Sequence, residues 1–578
     1  MKEKVLIISQ LRSNLTKEKK NLLFLNEGCI LYKKNKYYRY KAYNNRPVLR
    51  YDIGNKNLYK NFSYLLGIYE IFLKELSAEL NDLHKVNYSI KSWRILIGPW
   101  LFEFLSIIFY NLEKLKRINR ISNLKYIEVA EIKNFTPICK NSNEFSYLTA
   151  TDEFNNSIYS DLLPYFKKIK VKYFKPKNKK IYNQKKNTIV FNLLCKLSNY
   201  LFLLLIKFYN KKIIFHDAYF CKYYNLILQI KLRDFPIFYK SPEIITNKHL
   251  HNIRFKILDY KKKNFSHVAK NLIYKYIPRS YLENFDNYIS NVKAVSWPKY
   301  PKLIFSSNSF FYDDFFKFWL FKNEKKNLNF ITGQHGGFFS NLFDFIELHQ
   351  KKVSNLVLTW GYEKNRIYKS LFNFKCSNKR IKHNLDGNLL MVNYEISRFP
   401  SIYSPYHKFS YFKYFEDQIS FVRTLDPKIK KKVYFRFYPH DMGWSTHDRL
   451  KDLNLNIQYD KKKNIYNSLS DAKICYINFN STVFLETLNL NFPTIIYFNN
   501  KNDPIRKEAK KYFMILKKAG VFYEDEKLAA IKINQIWDDV NNWWNSVKVQ
   551  EAVNFFCDKY SRRTETPIND LYKALKYY

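Results

Sequence analysis

From about residue 290 the chain keeps repeating one pattern: a short apolar run, a polar turn, then a longer stretch with helical spacing. The runs fall at residues 302–306, 330–333 and 356–360, then at 388–392, 433–438, 474–477 and 494–498. Strands that alternate with helices predict a parallel sheet, because each parallel crossover needs a connection long enough to hold a helix. Helices then cover both faces of the sheet. Two such series predict an α/β protein with two Rossmann-like domains facing a cleft. The expected division is an N-terminal domain over 1–380, with helical insertions, and a C-terminal domain over 381–578. Residues 529–578 are expected to be helical and to pack back across the junction. Upstream, a strand is expected at 5–8, a second apolar stretch at 22–32 and helices across 64–83 and 92–116. A surface loop is expected over the Lys- and Asn-rich residues 165–187.

A chain of 578 residues with 46% hydrophobic and 19% aromatic residues can fill such cores, which argues against wholesale disorder. Its formal net charge of +49 favours anionic partners: nucleic acid, acidic lipid headgroups or nucleotide-sugar phosphates. The lysines are scattered, in runs such as 261–263 and 461–463. Most of the excess therefore reads as solvated faces and compositional drift. The seven cysteines include no CxxC pair, which fits reduced thiols and argues against a metal knuckle. The apolar start of the chain is too short for a signal peptide. Residues 95–110 are interrupted by Gly98, Pro99 and Glu103. Residues 192–208 contain Lys196 and fall short of a membrane span of about 20 apolar residues. Both segments are expected as buried or interfacial helices. The expected location is cytoplasmic, peripheral at the inner face of the membrane, where each well-placed basic residue adds about 1 kcal/mol of attraction.

Five stretches carry candidate chemistry. In AKICYINFNSTVFLETLNLNFPTIIYFN (472–499) a strand runs through a tight turn into a short helix and on to a second strand. Asn480 and Ser481 are suited to cap that helix, and its start, with the Ser481 and Thr482 hydroxyls, can bind a phosphate. Glu486 lies one turn along and can accept from ribose hydroxyls. Equally, it can be a solvent-facing Glu on an ordinary capped helix. In YFRFYPHDMGW (434–444), Arg436, Pro439, His440 and Asp441 cluster past a strand end, where ligands of open α/β sheets bind. Arg436 can hold a phosphate bidentately with His440 donating to the same group, or it can pair locally with Asp441.

In ITGQHGGFF (331–339), Gly333, Gly336 and Gly337 admit close backbone approach and positive φ. His335, between Gln334 and the glycines, is hard to explain as core packing. In IFSSNSFFYDDFFKF (304–318), Asn308 leaves a strand, and Asp313 and Asp314 fall at a helix start. An Asp there is a helix-dipole partner by default and a general base on an acceptor hydroxyl as the alternative. His335 is the second candidate base. An adjacent Asp pair is not a DxD motif, so no metal is implied. Near the N-terminus, Glu27 follows an apolar stretch and Arg94 sits among Trp93, Gly98, Pro99 and Trp100. A packed structural helix is the default for that cluster, with Glu27 and Arg94 as secondary site candidates. No Walker loop, GxGxxG, HExxH or GxSxG occurs, which argues against an ATPase, an oxidoreductase, a zinc protease and an α/β-hydrolase.

In order along the chain, LFLNEGCILY, NYSIKSWRILIGPWL, SNSFFYDDFFKFW, ITGQHGGFF, LTWGY, RFYPHDMGW, NSTVFLETLNLNFPTIIYFN and IWDDVNNWWNSVKVQEAVNFFCDKYSR form a tandem set. The set resembles a family of bacterial surface-carbohydrate (O-antigen) transferases first noted in spirochaetes. The match is poorest over residues 120–290, and QHGGFF departs from the family loop, which continues with a further Gly or Tyr. The C-terminal motifs also look like those of GT-B glycosyltransferases that use CMP-activated Kdo or sialic-acid-like sugars. This resemblance implies a GT-B glycosyltransferase with no cofactor beyond a nucleotide-sugar co-substrate, CMP-linked by preference. It implies Arg436, Pro439 and His440 near the donor phosphate, Ser481 and Thr482 on it, with Asn480 beside them, and Glu486 on the ribose. The cleft is then expected to gather Asn308, Gln334, Gly336 and Gly337. The expected acceptor is a lipid-linked saccharide or a growing surface polysaccharide, such as a lipopolysaccharide or capsule. Nucleic-acid binding is a rival that no recognised binding module supports. A non-catalytic assembly protein on a transferase fold is the other.

Overall fold

The computed structural model describes residues 3–11, 21–30, 32, 48–49, 55–133, 135–176, 212–246, 249–295, 297–298, 301–324, 328–337, 339, 341, 344–399, 410–439, 442–455, 457–499 and 504–578. Among these described residues, fifteen strands form three sheets, all of them parallel. The first sheet holds β1 (Lys4–Ile7), β2 (Leu22–Phe24), β3 (Leu124–Ala130) and β4 (Val171–Phe174), in the order β2-β1-β3-β4. The second holds β5 (Ile213–Phe215), β6 (Leu303–Ser306), β7 (Asn329–Gly333), β8 (Leu356–Thr359) and β9 (Tyr368–Ser370), in sequence order. The third holds β10 (Asn388–Val392), β11 (Val433–Arg436), β12 (Gln458–Tyr459), β13 (Ala472–Ile477), β14 (Thr494–Tyr497) and β15 (Phe522–Tyr523). Its order is β12-β11-β10-β13-β14-β15, the doubly wound arrangement in which strand order reverses between β10 and β13.

The stretch before residue 380 thus carries two parallel sheets, one more than the apolar periodicity indicated. Strand β4 lies inside the expected loop of 165–187. Its residues are half to fully exposed, so no alternation of apolar and polar residues marks it. The remainder of that loop past residue 176, and the apolar segment 192–208, lie outside the described residues.

Two long helices, Asn55–His84 and Ile90–Ile118, build the largest core. Ile90–Ile118 is long and apolar enough to cross a membrane. Its most apolar window is nonetheless 94% buried, against Asn55–His84, Phe265–Tyr276, Asp314–Asn323 and Phe345–Val353. It is apolar all round because it is enclosed all round.

A second apolar core runs without interruption from the second sheet into one face of the third, joining Trp360 and Phe374 to Phe484 and Leu488. The C-terminal helices seal this junction. Val547–Tyr560 packs on Lys510–Lys518 and on Thr482–Asn489, and Pro567–Leu575 packs on Lys222–Lys231 beside the second sheet. Between those two helices, the Arg562 N–H donates to the Trp360 carbonyl at 2.7 Å, and Asn373 Nδ2 donates to Ser561 Oγ at 2.9 Å.

Candidate active site at the junction of two sheets

In parallel α/β sheets ligands bind beyond the carboxyl ends of the strands, at the point where strand order reverses. In the third sheet, β13 ends at Ile477, in register with Val392 of β10, so the loop after β13 lies at that reversal. The segment after β7 in the second sheet meets the same loop.

Ser481 is the N-cap of the helix Thr482–Asn489, its Oγ accepting the Val483 N–H at 3.3 Å. Asn480, expected to share the cap, reaches across the junction, and its Nδ2 donates to Asn341 Oδ1 at 2.7 Å. The helix start stays partly exposed at Ser481, Thr482 and Val483.

Opposite lies the turn after β7. Gln334 is buried and shapes that turn: Nε2 donates to the Gly336 carbonyl at 2.7 Å, and Oε1 accepts the Trp360 N–H at 2.7 Å. Gly337 meets the helix start. Its N–H donates to Thr482 Oγ1 at 3.3 Å, and a Cβ there would lie 3.2 Å from the Ser481 carbonyl oxygen. Gly333 is more crowded still, since a Cβ would lie 2.6 Å from Ser307 Oγ. None of Gly333, Gly336 and Gly337 takes positive φ, contrary to expectation; at 333 and 337, close approach is the reason for glycine.

His335 is half-buried beside this contact. Burial, and then the nearby Lys375 charge, push its imidazole down to about 3, so it is neutral at physiological pH. Its ring meets Tyr219 edge-on at 6.1 Å, and Asn308 Nδ2 donates to the Tyr219 hydroxyl at 2.9 Å. Lys375 Nζ stands 5.1 Å over the Tyr219 ring and 3.6 Å from Glu486 Oε1. Glu486 is not solvent-facing. Its carboxylate is buried, and Oε2 accepts from the Tyr466 hydroxyl at 2.8 Å. The fold therefore gathers Asn308, Gln334, His335, Gly336, Gly337, Asn480, Ser481, Thr482 and Glu486 at one junction.

The other candidates are elsewhere engaged. Asp314 is fully buried and pairs with Lys317 at 2.8 Å. It also accepts from the Ser142 N–H and hydroxyl, the Ser280 hydroxyl and the Tyr281 hydroxyl. Burial opposes its charge, yet Lys317 and these donors hold its pKa below the usual range. A carboxylate so occupied is a structural ion and not an accessible base. Asp313 caps the helix Asp314–Asn323 and accepts from the Ser241 hydroxyl at 2.6 Å, with His216 Nε2 at 3.8 Å; burial raises its pKa.

Arg436 is held by Asp460, with Ser468 Oγ at 2.9 Å and the Lys462 carbonyl at 2.8 Å. Among the described residues its acidic partner is Asp460, 24 residues on. Pro439 lies exposed past β11, and His440 and Asp441 fall outside the described residues. Glu27 accepts from the Ser410 hydroxyl at 2.5 Å and the Phe412 N–H at 3.1 Å, tying the first sheet to the start of the helix Tyr411–Thr424. Arg94 makes a bidentate pair with Glu70 at 2.8 and 2.7 Å. Although burial alone would raise it, Arg94 and Lys352 bring the Glu70 carboxyl down to about 2. Both Glu27 and Arg94 are packing and docking residues.

Four residues of the junction escaped the sequence reading: Tyr219, Asn341, Lys375 and Tyr466. Tyr219 belongs to HDAYF, directly after the three-residue strand β5, which is too short to announce itself by periodicity. Among the described residues, no group of three His, Cys, Asp or Glu side chains converges as a metal site.

The sequence profile of the LIC12162 family transferases matches residues 4–575. No curated protein matches the sequence. Among solved structures, the S. aureus MnaA–UDP co-structure aligns with TM-score 0.33 and 8% identity, over 51% of this chain and 81% of that one. A Listeria monocytogenes protein described as a UDP-N-acetylglucosamine 2-epimerase aligns with TM-score 0.34 and 10% identity, over 62% and 92%. Acinetobacter baumannii MurG aligns with TM-score 0.28 and 8% identity, over 50% and 78%. Those scores are low. The GT-B-like architecture rests instead on the strand order, the two sheets whose carboxyl ends meet, and the returning C-terminal helices. With a profile match over nearly its whole length, the chain belongs to the LIC12162 family of transferases.

Proposed function

We propose that this chain is a metal-independent glycosyltransferase that moves a sugar from a nucleotide-sugar donor to a surface-polysaccharide or lipid-linked acceptor. The observation that carries the reading is the contact of Gly337 with Thr482. It sets a glycine turn from one sheet against a partly exposed helix start from the other, with His335 and Lys375 alongside. A helix N-terminus with Ser and Thr hydroxyls suits a donor phosphate, and Lys375 supplies positive charge for the departing nucleotide. The acceptor oxygen bonds to the sugar's anomeric carbon as the bond from that carbon to the phosphate oxygen breaks. The acceptor proton passes to His335. Its imidazole is a weak base on its own, and a phosphate bound nearby raises its basicity. A CMP-linked Kdo or nonulosonate donor is favoured by the resemblance of the C-terminal motifs. Action at the inner face of the inner membrane is favoured by the net charge of +49.

The test is a thermal-shift panel of CMP, UDP, GDP and their sugars. A ligand at one hundred times its Kd stabilises by about 2.7 kcal/mol. Thr482→Val is expected to reduce the shift, and His335→Ala to keep it while abolishing transfer. Absence of a shift with every nucleotide would overturn the reading.

A further inference from the structure

A cavity of about 370 Å3 opens beside the junction, between the loop that follows β5 and residues 375–379. Three lysines reach it, Lys222, Lys375 and Lys379, against one acid, Asp217. Asp217 Oδ2 already accepts from the Tyr312 hydroxyl at 2.7 Å. Lys375 is already paired with Glu486, so Lys222 and Lys379 against Asp217 leave a net positive charge on the space. Phe238, 48% exposed, and Tyr239 supply an apolar wall. The volume lies at the small end of the roughly 300–1,000 Å3 typical of ligand pockets, a size for one or two sugar units.

The loop has a further peculiarity. Asp217 and Tyr219 both take left-handed backbone conformations, with φ of 51° and 65°. A bulky residue such as Tyr219 rarely adopts that region, and such backbone strain concentrates at active sites and ligand clamps. Here the loop brings the Tyr219 ring between Lys375 and His335. The cavity and the candidate base thus share a wall.

We infer that this cavity binds the acceptor, and that it selects an acceptor carrying an anionic group, a phosphate or a carboxylate, on a sugar ring. The apolar face of the ring lies on Phe238 and Tyr239, the anion lies among the lysines, and the Tyr219 ring borders both the bound sugar and His335. Neutral saccharides leave the lysines without a counter-charge and bind poorly. The inference rests on the transferase reading above and adds the chemical class of the second substrate.

The experiment is calorimetric titration of the full chain with glucose 1-phosphate, glucuronic acid, glucose and the mononucleotides CMP, UDP and GDP. It is run on the wild type and on the Lys222→Gln/Lys379→Gln double variant. Both lysines are exposed at the rim, so the substitutions leave the core untouched. One acidic probe or both should bind the wild type, glucose should not, and the double variant should weaken the acidic probe by about tenfold as charge-assisted contacts are lost. Mononucleotide affinity should be unchanged by the substitutions. Binding of glucose 1-phosphate alone identifies a phosphate site, and binding of glucuronic acid alone a carboxylate site. The inference is overturned if neither acidic probe binds, if glucose binds equally well, or if the double variant retains acidic-probe affinity. It is equally overturned if the double variant loses mononucleotide binding in parallel, which would make the cavity a nucleotide subsite. Failure of every mononucleotide on the wild type, with an acidic probe bound, sinks the donor reading and leaves the cavity standing.

Discussion

His335 and His349 are both held neutral, for different purposes. His335 lies half-buried at the junction, whereas His349 is enclosed among the rings of Phe310, Phe311 and Phe345. Burial first, then the charges of Lys317, Arg94 and Lys352, push the His349 imidazole down to about 3. An unfolded histidine titrates near 6.5, so below that pH the unfolded chain takes up a proton that the folded chain refuses. The stability contribution is whole above pH 6.5 and declines as pH falls towards 3, by about 1.4 kcal/mol per pH unit. His349→Leu should remove this slope. Urea unfolding at pH 7.5 and 4.5 should show the variant gaining about 2.7 kcal/mol on the wild type between the two. A difference that does not change with pH would contradict it. Sequence alone distinguished neither imidazole's surroundings, because both depend on residues far along the chain.

At the scale of elements, the helix Asp314–Asn323 shows why an Asp pair at a helix start was ambiguous. One acid caps the helix, and the other turns inward to Lys317, one turn along. Both side chains of the inward pair are almost wholly enclosed, so Lys317→Met strands a buried carboxylate. The expected loss is about 3–5 kcal/mol by chemical denaturation, with part regained in Lys317→Met/Asp314→Asn. A stable, inactive Lys317→Met protein would point instead to a catalytic Asp314. The turn after β7 carries a second test. Gly337→Ala places a methyl 3.2 Å from the Ser481 carbonyl, so loop and helix must separate by a few tenths of an ångström. Nucleotide affinity should fall several-fold with a stability change of about 1–2 kcal/mol. Unaltered affinity would show that this contact does not form the phosphate site. Strand β10 falls at the residues its apolar run indicated, and β13 within two residues of them, because strands buried on both faces need an unbroken apolar run. Strands β12 and β15, two residues each, leave no such trace.

Across the whole molecule, the third sheet is tied to both of the others. Towards the second sheet the ties are the continuous apolar core, the Asn480–Asn341 bond and Arg506, whose Nη2 donates to Glu347 Oε2 at 2.5 Å. Towards the first, Arg398 donates to Asp152 Oδ2 at 2.5 Å and to the Gly28 carbonyl at 3.1 Å. Opening the molecule widely would expose that core and break these buried pairs. Arg398→Met leaves the buried Asp152 without its counter-ion; among the described residues, only the Gln10 N–H still donates to it, at 2.6 Å. Calorimetry should record a loss of about 3–5 kcal/mol, and an unchanged midpoint would rule out a latch.

The sequence by itself determined the local terms. Apolar runs buried on both faces specified the parallel strands, Ser481 specified the helix cap, and glycines beside His335 specified a turn that another backbone approaches. These depend on neighbours within a few residues, where spacing is readable. Only the tertiary structure decided which charges meet. Arg436 took Asp460, Asp314 took Lys317 and four donor groups of Ser142, Ser280 and Tyr281, and Glu486 took Tyr466 and Lys375. A buried charge must find its partner wherever the packed chain brings one, and sequence spacing carries no record of that.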